Sequence, residues 1–481
     1  MAALPLHSPP PIRSSLDVVV RLSSPALIEM RFKNYRVELL LFLCMWLTYG
    51  LTINSHNLEG FGLQQMGVEA IVERGHFYLE GSKVPQLQPL GDVFLYGGHK
   101  YAAKQPGQFM TGAIVYSALH LFGLTYGSHY LITAALVTFF TAALATALSV
   151  VALFRITRAI CQGNASLSWP LGASLLYGLG TTTYAYSGIA HHDAIATAFT
   201  LMALYAASYI AHADVGTGRL QAILAAISAG LFLGWTVTTS MLVLWPALAV
   251  FLYFLSLGQL RLVLPFLLGG LIGLAPLLFY DYVNFGDPFL LPNLAGNYRD
   301  TFFHLDLSNF LIKLRFYAKT LTQFVPVFWL GVMGLCLLPR QFRREQLFAT
   351  GAIVVLCAYI FNIDTNGTCQ YGPRYLMPVM AFSCLGLAGF SYLETGARRA
   401  FLSVLVILIG AISIIINGVG AAQGAMYCDL DRYALWPYLV SLRTGPTAKF
   451  PLFLWLIVPL SLAVWCLTKA IHSQIASTSP K

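Results

Sequence analysis

The stretch HYLITAALVTFFTAALATALSVVAL, residues 129–153, decides the fold class, because it holds no Lys, Arg, Asp or Glu and exceeds the roughly 20 residues that carry a helix across a bilayer. Arg155 and Arg158 follow it directly. Similar apolar segments recur along the chain. Of 481 residues, 57% are hydrophobic and only 10% charged, with a mean hydropathy of +0.70, whereas a soluble domain carries roughly 25% charged residues. Segments of this length also exclude the short alternating strands of a membrane barrel. The expected class is all-α: a polytopic transmembrane helical bundle of about 11 to 13 spans, with juxtamembrane helices on its extracytoplasmic side.

The chain divides by polarity. Residues 1–36 are proline-rich and basic and read as a flexible cytoplasmic leader. Residues 37–470 form one transmembrane domain, and 471–481 a cytoplasmic tail. The first span is expected at 37–54, and polar loops near 55–106, 281–320, 364–375 and 419–449 interrupt the apolar pattern. The short apolar piece 107–124 reads either as an interfacial segment or as a tilted span. Orientation follows from the basic clusters Arg31/Lys33/Arg36, Arg155/Arg158, Arg340/Arg343/Arg344 and Arg398/Arg399, which fall on one side of the alternation. That side is expected to be cytoplasmic, which turns the polar loops outward. The net charge of +9 is scattered over loop ends and forms no stripe, so anionic lipid accounts for it better than nucleic acid. No apolar segment with a cleavage site opens the chain, so the first span is expected to serve as the targeting signal. The eight cysteines show no zinc spacing. Cys369 and Cys428, both in outward loops, are candidates to pair, and Asn366-Gly367-Thr368 fits a glycosylation sequon.

Polar chemistry gathers in a few places. Residues 90–108, LGDVFLYGGHKYAAKQPGQ, carry Asp92, His99, Lys100, Lys104 and two tyrosines. Lys100 and Lys104 are candidates to hold a phosphate at headgroup level, with snorkelling at a span entrance as the plain alternative. In CQYGPRY, Arg374 follows a Gly-Pro break and offers a planar fork for phosphate oxygens. In SGIAHHDAIAT, residues 187–197, His191, His192 and Asp193 occupy the tip of a hairpin. They are candidates for substrate or divalent-metal binding, and Asp193 equally suits an N-cap. The loop from Asp281 mixes aromatic rings with Asp287-Pro288 and Asn297, which suits a sugar or an interfacial belt. Glu59 is the acid nearest the end of the first span.

Three segments together carry a family resemblance. GVEAIVERGHF leading into GDVFLYGGHKYAAKQPGQ, then NFGDPF after Tyr280, then QYGPRYLMPV, resemble the GT-C superfamily of membrane glycosyltransferases. The likeness is to family 39-type members, the protein O-mannosyltransferase and aminoarabinose-transferase relatives. The resemblance implies a polyprenyl-phosphate-linked sugar donor, a lipid, glycan or protein acceptor, and inverting transfer to a hydroxyl on the extracytoplasmic face of a bacterial inner membrane. It implies a carboxylate base, and Lys104 and Arg374 as the residues that stabilise the leaving phosphate. The family places an Asp shortly after its first span, whereas this chain reads Leu58-Glu59-Gly60-Phe61. Glu59 as base, Asp92 as base, and loss of transfer are the readings that departure leaves open. The other functional class is a transporter, flippase or non-catalytic binder of lipid-linked sugar. Such a protein would place ionisable groups at mid-membrane, but here they collect at one face.

Overall fold

The computed structural model describes residues 25–54, 58–59, 62–88, 91–161, 167–212, 218–297, 307–363, 370–393, 396–424 and 461. The Cys369/Cys428 pair, the sequon and nearly all of the expected last span at 450–468 lie outside these residues. The chain is a helical bundle with one small hairpin. Helix α1 runs Pro25–Leu51, starting earlier than the span expected at 37. After it come α2, Gly62–Glu69, the strands β1, Val93–Tyr96, and β2, His99–Ala102, and α3, Gly107–Leu121. A long helix, α4, then covers Tyr126–Ile160, kinked near its start at His129 and with a π-helical turn at Phe139–Ala143, followed by α5, Ser168–Gly180, and α6, Thr182–Ser187. The remainder is α7 His192–Ala211, α8 Arg219–Thr239, α9 Leu244–Ser256, α10 Val263–Phe285, α11 Phe310–Phe324, α12 Val327–Leu335, α13 Arg343–Asn362, α14 Met377–Gly386 and α15 Ala397–Gln423. Among the described residues, seven helices are long and apolar enough to cross a membrane.

The piece at 107–124 resolves into α3 and a tight turn, and α3 packs on α2 through Met66, Val68, Phe109 and Tyr116. The preceding polar loop contains structure that its hydropathy did not predict. β1 and β2 pair antiparallel, Val93 with Ala102 and Tyr96 with His99. Gly97 and Gly98 close the two-residue loop at φ +57° and +89°, the left-handed pair that the twist of a tight hairpin requires.

Burial separates inner helices from lipid-facing ones. The apolar window of the segment Arg374–Tyr392 is 94% buried and that of α7 72%, against 28% for Leu260–Phe285 and 22% for Arg399–Gln423. The outer helices present leucine and isoleucine outward, Leu268, Leu271 and Ile272 on α10 and Ile407 and Leu408 on α15 among them. With lipid tails as apolar as these side chains, helix association depends on close packing of small residues. That is the contact between α8 and α10. A Cβ added at Gly230 would lie 1.9 Å from the Phe266 carbonyl oxygen, and one at Gly269 2.1 Å from that of Ile227. The backbones touch, which sets the position of both helix ends at the polar side of the bundle.

Candidate active site at one end of the bundle

The site begins with two backbone devices. The first is the hairpin: because Val93 pairs with Ala102, the residues flanking the strands come side by side, and the Ala103 N–H donates to the Asp92 carbonyl at 2.8 Å. This places Lys104 Nζ 3.1 Å from Asp92 Oδ2. The Lys104 side chain is mostly buried, while that of Asp92 is 59% exposed, so the acid faces outward. Asp92 itself takes φ +54°, a conformation that Asp tolerates better than most residues. Burial would raise its pKa, but Lys104, then Arg374 and His192, outweigh that and hold it below the usual carboxylate range.

The second device is the turn that carries Arg374. Gly372 sits at φ +62°, where a Cβ would meet Thr182 at 3.0 Å and Phe324 at 3.3 Å. Tyr371 is fastened on both sides: its hydroxyl donates to the Ile416 carbonyl at 2.7 Å, and its carbonyl accepts from the Tyr186 hydroxyl at 3.0 Å. Arg374 is thereby directed into the bundle, where it is buried. Its guanidinium lies over the Tyr375 ring at 4.7 Å and donates to the Tyr375 hydroxyl at 3.2 Å.

Arg374 meets the hairpin tip predicted at residues 191–193. Its Nη1 lies 2.8 Å from His191 Nε2 and 3.9 Å from Asp193 Oδ2. The backbone N–H of Asp193 also approaches His191 Nδ1 at 3.2 Å. A neutral imidazole accepts at one nitrogen only. The guanidinium is charged and can only donate, so it competes with the Asp193 N–H for the one lone pair of a neutral ring, and Asp193 Oδ2 lies 3.8 Å from Nδ1. Burial, reinforced by His192, Arg374 and Lys104, holds the His191 pKa well below its ordinary value. Ser240, just past the end of α8, donates to Asp193 Oδ1 at 3.1 Å, and His192 Nε2 stands 3.3 Å from the same oxygen.

The ligand atoms of His191, His192 and Asp193 lie within 4.8 Å of one another, as a metal site would need. Both ring nitrogens of His191 already face N–H donors, Arg374 at Nε2 and the Asp193 backbone at Nδ1. A cation would also stand next to Arg374. Positive charge and N–H donors suit an anion here.

Lys104, Gln105, His192, Ser240, Met241, Leu242, Asn293 and Tyr375 enclose a cleft of about 20 Å³, room for a single water or phosphate oxygen. Gln105 Nε2 donates to Asn293 Oδ1 at 2.7 Å, which fastens the Lys104 segment to the one-turn helix Pro292–Ala295. Gln108 donates to the Ala190 carbonyl and ties the start of α3 to the His191 tip.

Asp92, Lys104, His191, His192, Asp193 and Arg374 thus converge from three separate stretches. Two other candidates stand apart. Lys100 lies exposed on β2 opposite Leu95, its backbone N–H donating to Glu80 at 2.8 Å. Glu59 is exposed and sits beside Tyr130, whose hydroxyl donates to the Leu58 carbonyl. Ser240 and Asn293 were not singled out from the sequence, since one Ser after an apolar helix and one Asn after a Pro form no pattern. Nor was the burial of Asp281, whose carboxylate oxygens have no hydrogen-bond partner among the described residues.

No protein-family model matches the chain, and no curated protein matches it in sequence. Solved structures do match in backbone. The crystal structure of ArnT from Cupriavidus metallidurans bound to undecaprenyl phosphate is similar over 91% of this chain and 78% of that one, at a TM-score of 0.47 and 14% identity. The archaeal oligosaccharyltransferase AglB from Archaeoglobus fulgidus, in complex with an inhibitory peptide and a dolichol-phosphate, is similar over 87% of this chain and 59% of its own, at a TM-score of 0.47 and 12% identity.

Proposed function

We propose that this chain is a membrane glycosyltransferase of the GT-C type, moving a sugar from a polyprenyl-phosphate donor to an acceptor hydroxyl on the extracytoplasmic face, with inversion. One observation carries the reading: a buried arginine and a mostly buried lysine from distant stretches converge beside a carboxylate that faces outward. In this reading Arg374 and Lys104 take the donor phosphate at the mouth of the cleft, one oxygen entering it. Asp92, ionised beside Lys104, accepts the proton of the acceptor hydroxyl as that oxygen attacks the anomeric carbon. The bond from the anomeric carbon to the phosphate oxygen breaks, and the electron pair leaves on the lipid phosphate, where the two cations stabilise it. As Lys104 turns toward the phosphate it releases Asp92, so donor binding itself would free the base. His191 positions Arg374 as a neutral acceptor, and Asp193 balances its charge.

The test is lipid and glycan mass spectrometry of a strain lacking the protein. A missing sugar together with an accumulated polyprenyl-phosphate sugar is the expected outcome. An unchanged glycan and lipid profile, under conditions where the gene is expressed, would count against transfer.

A further inference from the structure

At the opposite end of the bundle from the candidate site, α4, α7 and α8 enclose a second recess. Leu148 and Val151 from α4, Met202 and Tyr209 from α7, and Ser228 and Phe232 from α8 line about 520 Å³. α7 is the recessed helix and forms the floor, while α4 and α8 are the walls. Leu148 and Tyr209 at the recess are 40% and 38% exposed, so it opens sideways toward the lipid. The recess follows the helix axes. Leu148 to Arg155 along α4 covers about 10 Å at 1.5 Å per residue, from mid-helix to the helix end.

Arg155 closes that end and, among the described residues, is the one charged residue in the lining. Its Nη2 pairs with Glu38 and its Nη1 with the Tyr205 hydroxyl, and the guanidinium lies over the Tyr205 ring at 5.2 Å. Its Nε is buried with no hydrogen-bond partner among the described residues. Arg158 follows on the same helix end. An apolar slot open to lipid will always touch acyl chains. What distinguishes this one is an arginine held at the helix end that closes the slot, with a donor to spare.

We propose that this groove is a binding site for one anionic glycerophospholipid, an acyl chain lying along α7 and the phosphate against Arg155 and Arg158. By the expected orientation this is a lipid of the cytoplasmic leaflet, so the site is independent of the donor. Basic pockets between membrane helices recognise anionic headgroups in this way. The bound lipid would brace α4 and α8 against α7, the helix that carries His192 and Asp193 at its other end.

Native mass spectrometry of the purified full chain, equilibrated with an equimolar mixture of phosphatidylglycerol and phosphatidylcholine, tests this. One phosphatidylglycerol retained in preference to phosphatidylcholine is expected. Ser228→Phe, which fills the groove, should reduce that retention about tenfold, and Ala225→Leu, at a partly exposed lining position, should reduce it in the same direction if the larger change disturbs folding. Arg155→Gln should abolish the preference for phosphatidylglycerol, whereas Glu38→Gln, which leaves the guanidinium in place, should preserve it. Equal retention of the two lipids by the unaltered chain would overturn the proposal. So would undiminished retention in both groove-filling variants, or capture of a polyprenyl phosphate in place of the phospholipid.

Discussion

Asp92 and Glu59 are both carboxylates of the loop region between α1 and α3, and their neighbours give them different chemistry. Asp92 stands within ion-pair reach of Lys104, in the field of Arg374 and His192; Glu59 sits beside Tyr130 and is exposed. Asp92→Asn should therefore lower turnover by about 10²–10⁴-fold, the usual contribution of a general base, while Glu59→Gln stays near the unaltered rate. Donor affinity and turnover measured side by side in the two variants decide the matter, and the reverse pattern would make Glu59 the base. Lys104 supplies the pH signature. Because its charge depresses the Asp92 pKa, the carboxylate stays ionised above that lowered value and is protonated only as pH falls through it. The acid limb of kcat/KM thus lies below the ordinary carboxylate range. In Lys104→Gln the limb should shift to higher pH, on top of any loss of donor binding, and an unmoved limb would exclude Asp92 as the titrating base.

At the scale of elements, the turn before α14 does the positioning. Gly372 is both left-handed and packed against Thr182 and Phe324, so Gly372→Ala combines backbone strain with a steric push. The expected cost is about 1–3 kcal/mol, read as a lowered Tm of the detergent-purified chain. Arg374 lies two residues on, so donor affinity should fall with stability, and a variant that loses stability while binding donor normally would separate the turn from the site. The β-hairpin works in the same manner for Asp92 and Lys104. Its register decides which acid meets the lysine, and a shift of one residue would send both side chains to other faces.

For the molecule as a whole, the polar end and the basic end lie on opposite sides of the bundle. Lys83 is exposed near the hairpin and Gln259 is exposed between α9 and α10. In a cysteine-free background, Lys83→Cys should react with an impermeant maleimide on intact cells, and Gln259→Cys only after lysis. The inverse labelling would place the proposed site on the cytoplasmic side and remove the extracytoplasmic reading. The proposed donor site and the proposed lipid groove share α7, one at each end, so a helix that is largely buried joins the two.

The all-α membrane class was legible in the sequence because hydropathy and span length are local properties, readable at residues 129–153 without any partner. Lys104, Arg374 and the His191–Asp193 tip were also visible there, since isolated charges between apolar spans stand out. Their convergence was not, because nothing in the spacing of Lys104 and Arg374 encodes a distance between helices. The hairpin closed by Gly97-Gly98, and with it the contact between Asp92 and Lys104, was hidden by the polarity of its loop and emerged only in the structure. Ser240 and Asn293 are unremarkable in sequence and acquire a role only where α8 and the Pro292 turn deliver them. Local apolarity determined what kind of molecule this is. Close backbone packing, at Gly230 against Phe266 and at Gly372 against Phe324, decided which polar groups meet, because a non-local contact depends on helix ends that only the packed bundle brings into place.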